Sequence, residues 1–246
     1  MVGFRERARA DRDKTGTIPV ILGDIVGFLD ETLRRVRRGK PIVVVSGLPR
    51  SGTSMAMKML EAGGVPILTD GVRTADISNP KGYYEYEPVK ELDKGGSPAW
   101  LPGARGKAVK IISFLLTWLP ETYDYHVIFM QRDLEEAIAS QNEMLARHGE
   151  TGEKNAVEKN AVERNAVDGH DEPVRRAYEE HLQSVARFLA KRSCFSTLTL
   201  QYHEVVERPR DAALRIRDFL GLPLDVDRMA AVADPALYRN RHRVEA

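Results

Sequence analysis

One cysteine in 246 residues, Cys194, leaves no second thiol for a disulfide within the chain and excludes a metal site built on several thiolates. Core packing beside Phe195 is its expected role. An excess of charge of either sign is also lacking. Charged residues make up 30%, yet the net charge is +1, so no basic field announces nucleic acid. An anionic ligand would have to be held by local arginines instead. No uninterrupted apolar run approaches the length of a membrane span. The stretch from Met1 to Arg9 has no apolar core of the kind a signal peptide needs, so the expected location is cytoplasmic. None of the six histidines sits in a recognisable motif, and His126, at the head of an apolar run, reads as structural. No metal-ligand cluster is evident.

What the chain does contain is an alternation of apolar runs and helical periods. Its length suits one α/β domain spanning residues 1–246. Residues 1–16 read as a polar arm. A helix is expected from Pro19 to Arg38, with Ile21, Ile25, Phe28, Leu29, Leu33 and Val36 on one face. Ile42 to Val45 reads as a buried strand, Val65 to Leu68 as a second short one and Ala108 to Ile112 as a third. His126 to Gln131 and Cys194 to Tyr202 complete the set. Helices are expected over Thr53–Glu61, Leu134–Arg147 with Asp133 as N-cap, Glu172–Lys191 and Pro209–Leu220. Residues 95–103, rich in glycine and proline, read as loop. Strands alternating with helices predict a mainly parallel central sheet with helices on both faces and a site at the strands' C-terminal ends. Residues 154–168 repeat Lys/Arg-Asn-Ala-Val-Glu/Asp three times. A period of five drifts about 140° per repeat on a helix and alternates faces on a strand, so the segment at about 150–171 is expected to be a solvated insertion.

The most informative stretch is Gly47-Leu-Pro-Arg50-Ser-Gly-Thr-Ser54, between the first strand and its helix. Strand, glycine-bearing turn and helix N-terminus direct backbone N–H groups at one point, which makes an anion site of the phosphate-loop type. The lysine expected after the second glycine of such a loop is absent, with Thr53 in its place. Arg50 is the only cation inside the loop, among the hydroxyls of Ser51, Thr53 and Ser54. This motif resembles the loop of the sulfotransferases, in which Arg or Lys followed by Ser-Gly-Thr grips the 5′-phosphosulfate of 3′-phosphoadenosine 5′-phosphosulfate (PAPS).

A second pair strengthens the resemblance. Arg132 follows a hydrophobic strand, and Ser140 lies eight residues on, at most ~12 Å along a helix axis and within reach of one phosphate. This is similar to the family's 3′-phosphate motif; without the loop, Arg132 could equally pair with a neighbouring carboxylate. Lys110 falls where many members have a lysine that meets the bridging oxygen. Tyr202 is similar to their strand-end tyrosine near the adenine. The resemblance covers residues 42 to about 223 and implies a phosphate-loop α/β fold and sulfuryl transfer from PAPS to a hydroxyl or amine. The acceptor would be a small molecule, a carbohydrate or a peptide. No metal, nucleic acid or membrane span is expected, and the oligomeric state is left open. Cofactor contacts are expected from Arg50, Ser51, Gly52, Thr53, Ser54, Arg132, Ser140 and Tyr202.

The departures are specific. Ile112 stands where the cytosolic members place a catalytic histidine, and Met55 where they place a stacking tryptophan. Their C-terminal Gly-x-x-Gly-x-x-Lys element is missing, with Arg239 and Arg241 as the available substitutes. Another base is therefore needed. Glu85 and Glu87 fall on one face of an extended segment between tyrosines, and repulsion between neighbouring carboxylates suits one of them to accept a proton. Glu85 is the favoured base, since Glu87 can cap the helix at Pro88. Arg50 and Lys110 would neutralise the leaving charge. A phosphate-loop small-molecule kinase, with Asp133 as its best metal ligand, and an inactive nucleotide-binding module are the competing readings.

Overall fold

A computed structural model of the chain describes residues 38–71, 84–95, 98–151 and 171–233. The chain divides into two compact units, Met1–Gly39 and Lys40–Ala246, and the elements below belong to the second. The expected helix between Pro19 and Arg38, the pentads of 154–168 and the tail arginines Arg239 and Arg241 lie outside the described residues.

Four strands form one parallel sheet: β1 Ile42–Gly47, β2 Ala108–Lys110, β3 Tyr125–Gln131 and β4 Phe195–Gln201, in the order β2-β1-β3-β4. β1 is buried along its whole length, which its β-branched run requires of a central parallel strand. Alternate side chains serve opposite cores. Val43, Val45, Ile128, Met130 and Leu200 pack under helices α1 (Thr53–Ala62), α6 (Pro209–Leu220) and α7 (Val226–Ala230). Ile42, Val44, Val127 and Phe129 face the other way. There they meet two 3-10 helices (Glu87–Lys94 and Ser113–Trp118), α2 (Leu101–Ala104) and α4 (Asp171–Lys191). Each fully buried Val, Ile or Leu contributes ~1.5–3 kcal/mol, so these layers hold the sheet together. Cys194 is buried in the second core with Phe195, as its composition-based role requires. No helix among the described residues is long and apolar enough to cross a membrane.

The mixed details differ from expectation in three places. Val65 to Leu68 forms a single bridge, Ile67 to Ala108, not a strand; Pro66 has no N–H to extend the ladder. Within the expected loop 95–103, Leu101–Ala104 makes one helical turn, with Pro102 in its first turn where a missing N–H costs nothing. Two short helices follow β4 that the sequence periods do not announce: α5 (Tyr202–Glu207) and α7, the latter capped by Asp225, whose Oδ1 accepts from Arg228 N.

The strand order fixes where a ligand can sit. From β1 the chain passes to β2 on one side and then returns to β3 on the other. The C-terminal ends of β1 and β3 therefore flank the switch point, where α/β sheets leave a crevice. The segments that emerge there are residues 48–52 and 132–133.

Candidate functional site

The loop after β1 is a tight turn that ends as a helix N-cap. Ser51 N donates to Leu48 O at 3.2 Å, and the carbonyl of Gly52 accepts from Met55 N and Ala56 N to start α1. Gly52 has φ 95° and ψ 15°, a left-handed conformation that glycine adopts freely. Arg50 sits at φ 65° without that freedom. No acidic residue occupies the first turn of α1 and no side chain caps it, so the positive end of the helix dipole is left for an external anion. The hydroxyls of Ser46 and Ser51 are buried and lack a hydrogen-bond partner among the described residues. Buried hydroxyls of this kind are normally satisfied, and an anion or its hydration would satisfy them. Thr53 and Ser54 occupy the first turn, half-buried.

Register explains the next group. Gln131 pairs with Gln201 across β3 and β4, and their side chains hydrogen-bond at 2.8 Å. The following residues, Arg132 and Tyr202, therefore leave the sheet side by side, and the guanidinium of Arg132 lies over the Tyr202 ring at 4.6 Å. The same ring covers Gly52: a Cβ built there would come within 2.4 Å of Tyr202 Cδ2. Arg132 Nε donates to Glu136 Oε2 at 3.0 Å and Nη1 to the carbonyl of Arg50 at 3.2 Å. Asp133 starts helix α3 (Leu134–Thr151) as expected, its Oδ1 accepting from Glu135 N and Glu136 N. That capping engages the carboxylate which a kinase reading would give to a metal. One turn after Glu136, Ser140 Oγ accepts from Arg50 Nε at 3.1 Å, and Met144 Sδ, a further turn on, from Arg50 Nη1 at 3.9 Å. Arg50, Gly52, Arg132, Ser140 and Tyr202 are thus brought together from four segments. Ser140 meets Arg50, whereas Arg132 is ion-paired with Glu136.

Glu85 and Lys110 form a separate contact. Lys110 ends β2 opposite Val45, and its Nζ lies 3.8 Å from Glu85 Oε1, the two side chains 11% and 19% exposed. Glu85 reaches this place because its segment is tied down on two sides. Thr69 Oγ1 donates to Glu85 O at 2.8 Å, and Glu87 N donates to Asp70 Oδ2 at 2.6 Å. Tyr84, at φ 53°, donates its hydroxyl to Glu61 Oε2 of α1 at 2.5 Å. Burial, and then Glu61, push that phenol well above its ordinary range. Lys90 Nζ stands between the two glutamates, 2.6 Å from Glu87 Oε1 and 3.9 Å from Glu85 Oε2. It supplies a cation to the pair, where the sequence suggests only two carboxylates repelling each other. Glu87 is the first residue of its 3-10 helix, not the cap, and is 46% exposed.

The neighbouring carboxylate that the sequence offers Arg132 is Glu136, four residues on, the spacing at which helical charges meet. His181 carried no such signal. Its ring stacks on Phe114 at 3.8 Å, and Nε2 shares a 2.9 Å hydrogen bond with the buried Ser113 Oγ. Burial pushes its pKa from 6.5 to about 4, so the ring is neutral near pH 7. His126 packs against Phe219, in keeping with a structural role.

Fold and site together define an α/β protein with a glycine-bearing strand-to-helix loop at the switch point of a parallel sheet. No protein-family model matches the chain, and no curated protein does. Among solved structures it is similar to the sulfotransferase STF9 from Mycobacterium avium, with 16% identity, 89% of this chain and 73% of that one covered, and a TM-score of 0.48. It is also similar to the sulfotransferase domain of the Synechococcus PCC 7002 olefin synthase, with 17% identity, 85% and 91% covered, and a TM-score of 0.44. A third is the sulfotransferase domain from the curacin biosynthetic pathway, with 15% identity, 78% and 77% covered, and a TM-score of 0.42.

Proposed function

We propose that the protein is a sulfotransferase that uses PAPS and transfers its sulfuryl group to a hydroxyl or amine acceptor. The observation that carries this reading is a convergence. The Pro-Arg-Ser-Gly-Thr-Ser loop and the Arg132/Ser140 pair are some ninety residues apart, yet Arg50 of the first hydrogen-bonds Ser140 of the second. Buried unpartnered hydroxyls, an open helix N-terminus, Arg132 and Ser140 gather around Arg50, which supports a ligand carrying more than one anionic group. PAPS, when bound, supplies the sulfuryl group and leaves as adenosine 3′,5′-bisphosphate.

In this reading the loop amides, Ser51, Thr53, Ser54 and Arg50 bind the 5′-phosphosulfate, and Arg132 with Ser140 the 3′-phosphate. Tyr202 lies by the adenine. Lys110 offsets charge on the bridging oxygen. Glu85 takes the acceptor's proton at its carboxylate, held against Lys110 and so beside the leaving charge. Arg239 and Arg241 are the candidates for cofactor contacts in place of the missing C-terminal element.

Calorimetric titration of adenosine 3′,5′-bisphosphate, AMP and ATP with magnesium tests this. A charge-assisted hydrogen bond is worth ~1.5–3 kcal/mol, so AMP should bind roughly ten- to a hundredfold more weakly than the bisphosphate, and Arg132→Ala should lose a similar factor. Equal affinity for the bisphosphate and AMP would refute the 3′-phosphate site; preference for ATP with magnesium would favour a kinase.

A further inference from the structure

We propose that Glu136 is a positioning residue for the anion-binding loop, acting through Arg132 on the peptide that joins Arg50 to Ser51. The proposal rests on the reading of that loop as a ligand site and says what holds it in shape before a ligand arrives.

The two side chains of the Arg132–Glu136 pair are 8% and 5% exposed. A pair so enclosed is not a solvent-facing ion pair of little consequence. The Asp133 cap fixes the first turn of α3, and with it the position of Glu136. Because Glu136 engages Nε, the guanidinium is turned so that Nη1 reaches the Arg50 carbonyl while its face rests on Tyr202.

The target of that donation is informative. Arg50 has φ 65°, a left-handed backbone that a non-glycine residue keeps only when its surroundings impose it. Its carbonyl and the Ser51 N–H belong to one peptide unit. Arg132 holds the carbonyl, and Leu48 O accepts from the N–H. With both edges held, the directions of the following amides and of the buried Ser51 hydroxyl are set. The side chain of Arg50 is read from the same helix face, since Ser140 and Met144 lie one and two turns beyond Glu136. One stripe of α3 therefore places the loop arginine twice, by its backbone through Glu136 and Arg132, and by its side chain through Ser140.

The decisive readout needs no ligand: amide hydrogen exchange in the free protein. Glu136→Ala should speed exchange of residues 48–54 tenfold or more while β1 and β4 exchange as in the wild type. In an Arg132→Ala background, Glu136→Ala should add nothing. Glu136→Gln, which keeps an oxygen acceptor for Nε, should recover most of the protection. Calorimetry with adenosine 3′,5′-bisphosphate should show an affinity at least tenfold weaker for Glu136→Ala, again recovered by Gln. Should Glu136→Ala not fold, Glu136→Asp, one methylene short of Nε, is read in the same way. Unchanged loop exchange, a uniform rise across sheet and loop, or additivity with Arg132→Ala would overturn the proposal. A wild type that does not bind the bisphosphate would instead sink the function proposed above, and the exchange data would still decide the role of Glu136.

Discussion

Replacing Gly52 by alanine tests the loop at the point where backbone and neighbour both object. At φ 95° an added Cβ costs about 1–2 kcal/mol in backbone strain. The new methyl would also lie 2.4 Å from Cδ2 and 2.9 Å from Cε2 of Tyr202, so something must shift. That ring is 7% exposed, begins α5 and carries the Arg132 guanidinium, so it has little room to yield. Overpacking of this kind adds roughly 1–3 kcal/mol, for a total of about 2–5 kcal/mol. Gly64→Ala supplies the comparison: its φ is 97°, and nothing lies within 4 Å of the built Cβ. It should cost the strain alone. Urea unfolding of both variants gives the difference, about 1–3 kcal/mol with Gly52→Ala the less stable. Calorimetry should then show adenosine 3′,5′-bisphosphate affinity reduced at least tenfold in Gly52→Ala and retained in Gly64→Ala. Equal destabilisation by the two substitutions would show that Tyr202 does not press on the loop at Gly52.

Two further outcomes are expected. Glu85→Gln should cut turnover about a hundredfold or more with a verified acceptor while binding of the bisphosphate survives; normal turnover would place the base elsewhere. His181 is neutral in the fold, with its pKa pushed from 6.5 to about 4 by burial, whereas the unfolded chain protonates it below about 6.5. Its contribution is therefore complete above pH 6.5 and is lost as the pH falls toward 4. A fully sequestered ring would lose ~3 kcal/mol over that window, and partial exposure reduces this to about 1–2 kcal/mol. Urea unfolding at pH 4 and 7.5 should show that loss in the wild type and a smaller one in His181→Phe; identical pH dependence would refute it.

How far the sequence reveals this arrangement depends on how local each cause is. Ile42 to Val45 and Val127 to Met130 are legible as strands because parallel strands covered on both faces must be apolar on both. Asp133 is legible as a cap because its partners, Glu135 N and Glu136 N, lie within three residues. The stacking of Arg132 on Tyr202 is not legible, because it follows from the pairing of Gln131 with Gln201, seventy residues apart. The failure of Val65 to Leu68 to form a strand turns on one missing N–H at Pro66. Lys90 shows the opposite case. It stands three residues from Glu87, close enough to be noticed, but only the fold of the 84–87 segment brings Glu85 to the same ammonium group.

The two arginines are partnered differently, and this bears on what each can give a ligand. Arg50 bonds a neutral hydroxyl, Ser140, and a thioether, Met144. Exchanging either of these neutral acceptors for an anionic oxygen raises that one hydrogen bond from ~0.5–1.5 to ~1.5–3 kcal/mol. Arg132 already faces a carboxylate in a buried site, and leaving Glu136 for a phosphate would exchange one anion for another. Arg132 therefore serves a ligand best without leaving Glu136, keeping its Nε bond as it meets the 3′-phosphate. The loss on Arg132→Ala then belongs toward the tenfold end of the expected range for contact alone. Anything beyond that measures the collapse of the Arg50 peptide, which Arg132 and Glu136 hold in common.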